Sequence, residues 1–251
     1  MTKVLPEIYL RRPFAHRGLH DVESGRPENS LVAAEAAISK EYGIELDVQL
    51  TSDGKAVVFH DYALDRLTKE AGAVRQRTAR DLAAIPLTGG EEGIPSLSDF
   101  LNLVAGRVPL LLEIKDQDGA LGNDVGPLER AVAAAIKDYQ GDVAVMSFNP
   151  HSVAAMKELA PTQQRGLVTE AFPRAKWAVP KATLKRLREI PDYQRTGSVF
   201  ISHKARDLDR PRVAELKRGG ATILCWTVRS PEEERAARRV ADNVTFEGYL
   251  A

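Results

Sequence analysis

The chain has 251 residues, 35 Lys and Arg against 35 Asp and Glu, 43% hydrophobic residues and one cysteine. That length suits one large α/β barrel or two small domains, and the balanced charge excludes both a disordered composition and the basic excess that drives nucleic-acid binding. Cys225 alone allows no internal disulfide, no stretch reaches the roughly 18 apolar residues of a membrane span, and the opening MTKVLPEIYLRRPF lacks the apolar run of a secretory signal, so the expectation is a soluble, cytoplasmic protein.

From the N-terminus onward, apolar β-branched runs alternate with Ala, Leu, Glu and Arg segments of helical period, the rhythm of a parallel sheet with helical crossovers. Strands are predicted over 13–16, 43–50, 56–60, 109–115, 143–148, 165–169, 198–203, 221–228 and 243–247. Only Thr51, Ser52, Asp53, Gly54 and Lys55 separate the second from the third, where a parallel crossover takes a dozen residues or more. Asp53-Gly54 is a tight-turn signal, so this pair is a hairpin that lays His60 beside Glu45 and Asp47. Setting the third strand aside as an excursion leaves eight, a (β/α)8 TIM-type barrel spanning residues 1–251 as one domain. Ser30, Thr78 and Ser96 stand as N-caps, and Ser230-Pro231 opens a helix with an acidic first turn. Residues 61–95 read as an irregular, Gly-rich insertion too short for a domain, and loops of that length are often functional.

Reactive groups of such a barrel stand at the carboxyl ends of its strands. His16 and Arg17 end the first; Glu45 and Asp47 lie two apart on the second; His60-Asp61 closes the hairpin; Glu113 and Lys115 lie two apart on the next, followed by Ser147 and Asn149. Residues two apart on a strand share a face, about 6.6 Å from one another. Three carboxylates brought together repel unless a cation lies among them, and an all-oxygen donor set favours Mg2+ or Ca2+ over zinc. Glu45, Asp47 and Glu113 are thus candidate ligands of one divalent cation, with Arg17 and Lys115 beside them as donors to a phosphate. His16 and His60 form a candidate acid/base pair for breaking a phosphodiester near neutral pH. His20, His151 and His203 read as structural histidines and Cys225 as a small buried hydrophobe. Ser147 and Asn149 either hold loop backbone or reach the site, and Trp226 and Phe148 either fill the core or wall the pocket.

The string AHRGLHD, GRPENSLVAAEAA, GIELDVQLTSDGKAVVFHDYALDRLT resembles the amino-terminal signature of the glycerophosphodiester phosphodiesterase family, and IPSLSDFL, LLLEIK, SFNP and CWTV are similar to its later landmarks in order. The resemblance implies a (β/α)8 barrel, a divalent cation, and hydrolysis of glycerophosphodiesters to sn-glycerol 3-phosphate and an alcohol. It also implies His16 and His60 as acid/base pair, Glu45, Asp47 and Glu113 as metal ligands, and Arg17 and Lys115 on phosphate. Glu28 and Asn29 match the PEN element near the metal and take a supporting role, as do Ser147, Asn149 and Trp226. Two departures stand out: a short loop replaces the inserted subdomain frequent in the family, and the last strand reads NVTFEGYL where the family closes on a T-D-x-P-like sequence.

The attacking group in this reading is water or the glycerol 2-hydroxyl, the latter passing through a cyclic phosphate. A polar, short pocket is expected. Two alternatives differ in class: lysophospholipase D-like or sphingomyelinase D-like action on a lipid, which calls for an apolar rim at the barrel mouth, and a barrel that binds a phosphate ligand without turnover. Every catalytic position is filled, which speaks against the last.

Overall fold

Strands form on the β-branched runs, each end within two residues of its predicted position, in the computed structural model, which describes residues 4–251. They are β1 (Phe14–His16), β2 (Gly43–Leu50), β3 (Ala56–Val58), β4 (Leu110–Ile114), β5 (Val143–Ser147), β6 (Gln164–Thr169), β7 (Phe200–Lys204), β8 (Thr222–Val228) and β9 (Asn243–Phe246). Between them run α1 (Ile8–Arg11), α2 (Leu31–Ser39), α3 (Ala79–Ala83), α4 (Leu97–Val104), α5 (Pro127–Ile136), α6 (Pro150–Leu159), α7 (Lys181–Arg188), α8 (Pro211–Arg218) and α9 (Pro231–Ala237). All strands but β3 pair in parallel, in the order β1, β9, β8, β7, β6, β5, β4, β2, and β1 pairs with β2 to close the ring. The result is a TIM-type barrel.

The four predicted caps form: Ser30, Thr78, Ser96 and Ser230 accept hydrogen bonds from the backbone N–H of Ala33, Asp81, Asp99 and Glu233. Each such cap satisfies a helix-end donor and is worth about 1 kcal/mol. Inside the ring, Phe14, Leu111, Met146, Val168, Phe200 and Leu224 fill the barrel, and Leu5 and Tyr9 join them from the N-terminal segment. Gly43 makes room for this packing, since a Cβ there would sit 2.6 Å from the Phe14 ring. Outside, α2, α4, α5 and their neighbours bury a second apolar layer, including Ala34, Phe100, Val132 and Met156, against the strands. At roughly 1.5–3 kcal/mol for each large apolar side chain buried, these layers carry most of the fold. Among the described residues, no helix is long and apolar enough to cross a membrane.

One feature positions the site. β1 is only three residues long and ends opposite Glu45, whereas β2 runs on past the rim to Leu50. The edge of β2 that β1 vacates is taken up by β3 in antiparallel pairing, Val48 opposite Val58 and Leu50 opposite Ala56. The chain after β3 is more ordered than its Gly-rich composition predicts. Val57, Phe59, Leu64, Leu67, Val74, Leu82, Ile85, Leu87 and Ile94 pack into a separate apolar cluster. Their spacing has no helical or strand period, which is why it does not stand out in the sequence.

Candidate active site

Register brings the acids together. His16 lies opposite Glu45, and Asp47 opposite Glu113, so three adjacent strands present one cluster at the rim. Glu45, Asp47 and Glu113 are all buried, and a carboxylate oxygen from each lies within 4.8 Å of the others. Lys115 Nζ donates to Glu113 Oε1 at 2.7 Å and to Asp47 Oδ1 at 3.3 Å. Asn29 Nδ2 donates to Asp47 Oδ2 at 3.1 Å. Arg17 follows β1 in the left-handed region, φ 58°, which turns its backbone N–H onto Glu45 Oε2 at 3.1 Å. A non-glycine residue in that region costs about 1–2 kcal/mol. Gly18, also left-handed, lets the turn pack on α2, where a Cβ would meet the Ala33 backbone at 2.9 Å. The Arg17 guanidinium donates from Nη1 to Glu28 Oε1 at 2.6 Å. Its buried Nε lies 3.3 Å from Asp47 Oδ2 without a hydrogen bond among the described residues.

The charges do not balance within the cluster. Burial alone would raise the Asp47 carboxyl, but Lys115, His60 and Arg17 more than offset it and hold Asp47 well below the usual carboxylate range. Glu45 is pushed well above that range by burial and then by repulsion from Asp47 and Glu113. The cluster is therefore short of positive charge next to Glu45. An oxygen-only set with an uncompensated buried carboxylate fits a hard divalent cation.

Each imidazole is held by a carboxylate at Nδ1. His16 Nδ1 hydrogen-bonds Glu247 Oε2, which leaves Nε2 on the cluster side, 3.9 Å from Glu45 Oε2. Burial holds His16 below the ordinary imidazole value against the pull of Glu247. Glu247 also takes an ion pair from Arg229 at 2.5 Å and has His20 Nε2 3.8 Å away. Burial opposes its ionisation, yet the His16 and His20 side chains and the Arg229 charge keep its carboxyl well below the usual range. His60 Nδ1 lies 2.5 Å from Asp61 Oδ1, and Arg66 braces Asp61 through Nε at 2.6 Å. A carboxylate on Nδ1 fixes the proton there and turns Nε2 toward the reacting atoms.

These groups open on one cavity of about 310 Å3 lined by His16, Arg17, Glu45, Asp47, His60, Glu113 and Lys115, with Trp226, Lys204 and Arg229 across the mouth. Beside it lies a trough of about 480 Å3 walled by Tyr62, Leu121, Phe148, Trp177 and Trp226, and the two share His60, Glu113, Lys115, Phe148, Lys176 and Trp226. Phe148 packs tilted against Trp177 and edge-to-face against Trp226, with ring centroids 5.1 and 5.5 Å apart. The pocket is thus not uniformly polar: Trp177 comes from the loop after β6, where no strand-end rule points. Trp226 is a pocket wall. Ser147 and Asn149 lie outside both cavities: Ser147 Oγ donates to Ile114 O at 2.7 Å, and Asn149 caps α6 while its Nδ2 donates to Asp116 Oδ1 at 2.7 Å, behind the trough wall. Glu28 stands behind Arg17 rather than in the cavity. His203 is structural, accepting from Thr169 Oγ1 at 2.7 Å and bonded to Asp207 O. Glu247 escaped the site prediction, although its position at the end of β9, next to β1, is a strand-end signal.

Comparison with known proteins matches the Glycerophosphoryl diester phosphodiesterase family over residues 16–244. The chain belongs to that family. Its members are phosphoric diester hydrolases. YhdW of Bacillus subtilis (strain 168), by name a candidate glycerophosphodiester phosphodiesterase, is 30% identical over 225 residues, 85% of this chain and 84% of that protein. A glycerophosphodiester phosphodiesterase of Caldanaerobacter subterraneus subsp. tengcongensis is 35% identical over 164 residues, 61% of this chain and 65% of that protein. Among solved structures of the fold, an Oleispira antarctica phosphodiesterase in complex with the product sn-glycerol-3-phosphate superposes with a TM-score of 0.76 at 23% identity, covering 95% of this chain and 93% of that one.

Proposed function

We propose that this chain hydrolyses glycerophosphodiesters to sn-glycerol 3-phosphate and an alcohol, using one divalent cation and the pair His16 and His60. The observation that carries this reading is the opening of two carboxylate-held imidazoles and one cation-short carboxylate cluster on a single cavity of about 310 Å3. Family membership over residues 16–244 supports it.

Arg17 and Lys115 bind the phosphate. The orphaned Arg17 Nε is a buried donor without an acceptor, and a non-bridging oxygen supplies one; leaving such a donor unmet costs about 1–3 kcal/mol. Glu45, Asp47 and Glu113 would hold the cation, either Mg2+ or Ca2+, which when bound withdraws charge from the phosphoryl oxygens. One imidazole removes the proton of the attacking oxygen and the other protonates the leaving oxygen, each through its free Nε2. Glu247 and Asp61 stabilise the imidazolium that forms and keep the ring turned. The aromatic trough beside His60 gives the variable alcohol room and excludes water from one side of the phosphorus.

The test is a product assay over a panel of glycerophosphodiesters after EDTA treatment, with Mg2+ and Ca2+ added back singly. Release of sn-glycerol 3-phosphate that is lost on chelation and restored by one ion is the expected result. Turnover indifferent to chelation, or to both His16→Ala and His60→Ala, overturns the reading. Lysophosphatidylcholine belongs in the panel, since a preference for it over glycerophosphocholine would assign the trough to an acyl chain.

A further inference from the structure

We propose that Arg66 is a positioning residue of this reaction: its guanidinium bridges Asp61 and Glu28 and so aims the His60 ring and the Arg17 guanidinium at the same phosphorus. The proposal rests on the phosphodiesterase reading above and extends it to a side chain outside both cavities.

Arg66 engages both oxygens of both carboxylates. Nε and Nη2 donate to Asp61 Oδ2 and Oδ1 at 2.6 and 3.0 Å, and Nη1 and Nη2 donate to Glu28 Oε2 and Oε1 at 2.8 and 2.9 Å. Each carboxylate passes the constraint inward. Asp61 Oδ1 meets His60 Nδ1 at 2.5 Å, and Glu28 Oε1 accepts from Arg17 Nη1 at 2.6 Å. An unbroken chain of contacts thus joins His60, Asp61, Arg66, Glu28, Arg17 and Asp47.

The geometry asks for an arginine. A planar fork with five donors serves two carboxylates at once, whereas an ammonium is a point charge that can satisfy one. Stability is a poor reason for the arrangement, because the Arg66 side chain is 48% exposed and exposed ion pairs are worth little. Placement is a better one. His60 lies beyond the barrel strands, two residues past β3, so no sheet register sets its ring, and a misplacement of about 1 Å at a reacting group can cost about 100-fold in rate. Arg229 stands in the same relation to Glu247 and His16, but Arg229 also lines the cavity, so its removal mixes positioning with substrate contact. Arg66 lines neither cavity, although His60 lines both and Asp61 the trough.

The experiment is a double-mutant cycle on Arg66→Gln and Asp61→Asn, with kcat, KM and melting temperature measured for each variant on a glycerophosphodiester that the unaltered protein turns over. Arg66→Gln is expected to lower kcat about 10–100-fold, the usual cost of losing an outer partner, with a smaller change in KM. The double variant should lose less than the product of the two single losses, because part of what Arg66 does runs through Asp61 and only the Glu28 arm is left to lose. Arg66→Lys should recover only part of the loss, and added guanidinium ion should rescue Arg66→Ala but not Asp61→Asn. Losses that multiply, a raised KM at unchanged kcat, or a loss that follows a lowered melting temperature each overturn the proposal. Should Arg66→Gln not fold, Arg66→Lys takes its place in the cycle. Failure of the unaltered protein on every glycerophosphodiester is a different result, which strikes the functional reading itself.

Discussion

His16 and His60 carry the same triplet of groups, imidazole, carboxylate and guanidinium, on two different kinds of scaffold. His16, Glu247 and Arg229 stand on β1 and just beyond β9 and β8, and the first is 12% exposed at the side chain. His60, Asp61 and Arg66 stand on the hairpin and the loop after it, and His60 is 31% exposed. Sheet hydrogen bonds aim the first array. The second depends on a small apolar cluster of its own and on a guanidinium strap back to Glu28. One arrangement of imidazole, carboxylate and guanidinium is thus held in one case by the barrel and in the other by an insertion that supplies its own packing.

Removing what the arrays share should cost most. Stripping the cation, or Asp47→Asn, is expected to lower kcat/KM at least about 1,000-fold, since a metal supplies several kcal/mol of charge stabilisation, measured by product assay with metal add-back. Breaking either array at its ring comes next: His16→Ala and His60→Ala should each lower kcat about 100–10,000-fold. Comparing an alkyl with a p-nitrophenyl phosphodiester tells them apart, because the array that protonates the leaving group is dispensable when that group leaves unaided.

The two arrays should then part company in the core beneath them. Leu82→Ala, at a fully buried position of the excursion cluster, is expected to cost about 2–5 kcal/mol. Hydrogen exchange should show the loss in residues 57–94 while the barrel strands keep their protection, and activity should fall through His60. Equal deprotection of β1 and β9 would show that the two halves are one cooperative unit.

A third imidazole calibrates the pair and has the smallest effect. His203 is buried without a carboxylate side chain as hydrogen-bond partner, and burial lowers it from 6.5 to about 4. On unfolding, the ring takes up a proton below about pH 6.5, whereas the folded ring resists until about pH 4. Stability should therefore fall as pH drops through that window, by up to about 1.4 kcal/mol per unit from this residue. Melting curves of the parent and His203→Gln between pH 7 and 4.5 should converge toward the acid end.

Most of the barrel could be read from the chain because its signals are local: β-branched runs, four capping serines and threonines, and a five-residue link too short for a crossover. The acidic cluster was legible for the same reason, since spacing of two along a strand fixes a shared face. What stayed hidden depends on closure. Glu247 meets His16 across 231 positions of sequence, a contact that exists only because the last strand returns to the first. Trp177 and Arg66 sit in connections, where no periodicity reports which way a side chain turns. Ser147 and Asn149 had the right residue types at the right strand end, yet Ser147 bonds backbone and Asn149 caps a helix and braces Asp116, with neither side chain lining a cavity.

Arg17 and Asn29 both hold left-handed backbone at the heart of the site, where glycine would sit at ease. Under the phosphate-binding role proposed for Arg17, a glycine at position 17 should relax that backbone and cost turnover in the same step. Screens for heat-resistant variants of this chain should accordingly draw from that turn changes that improve endurance while abolishing turnover.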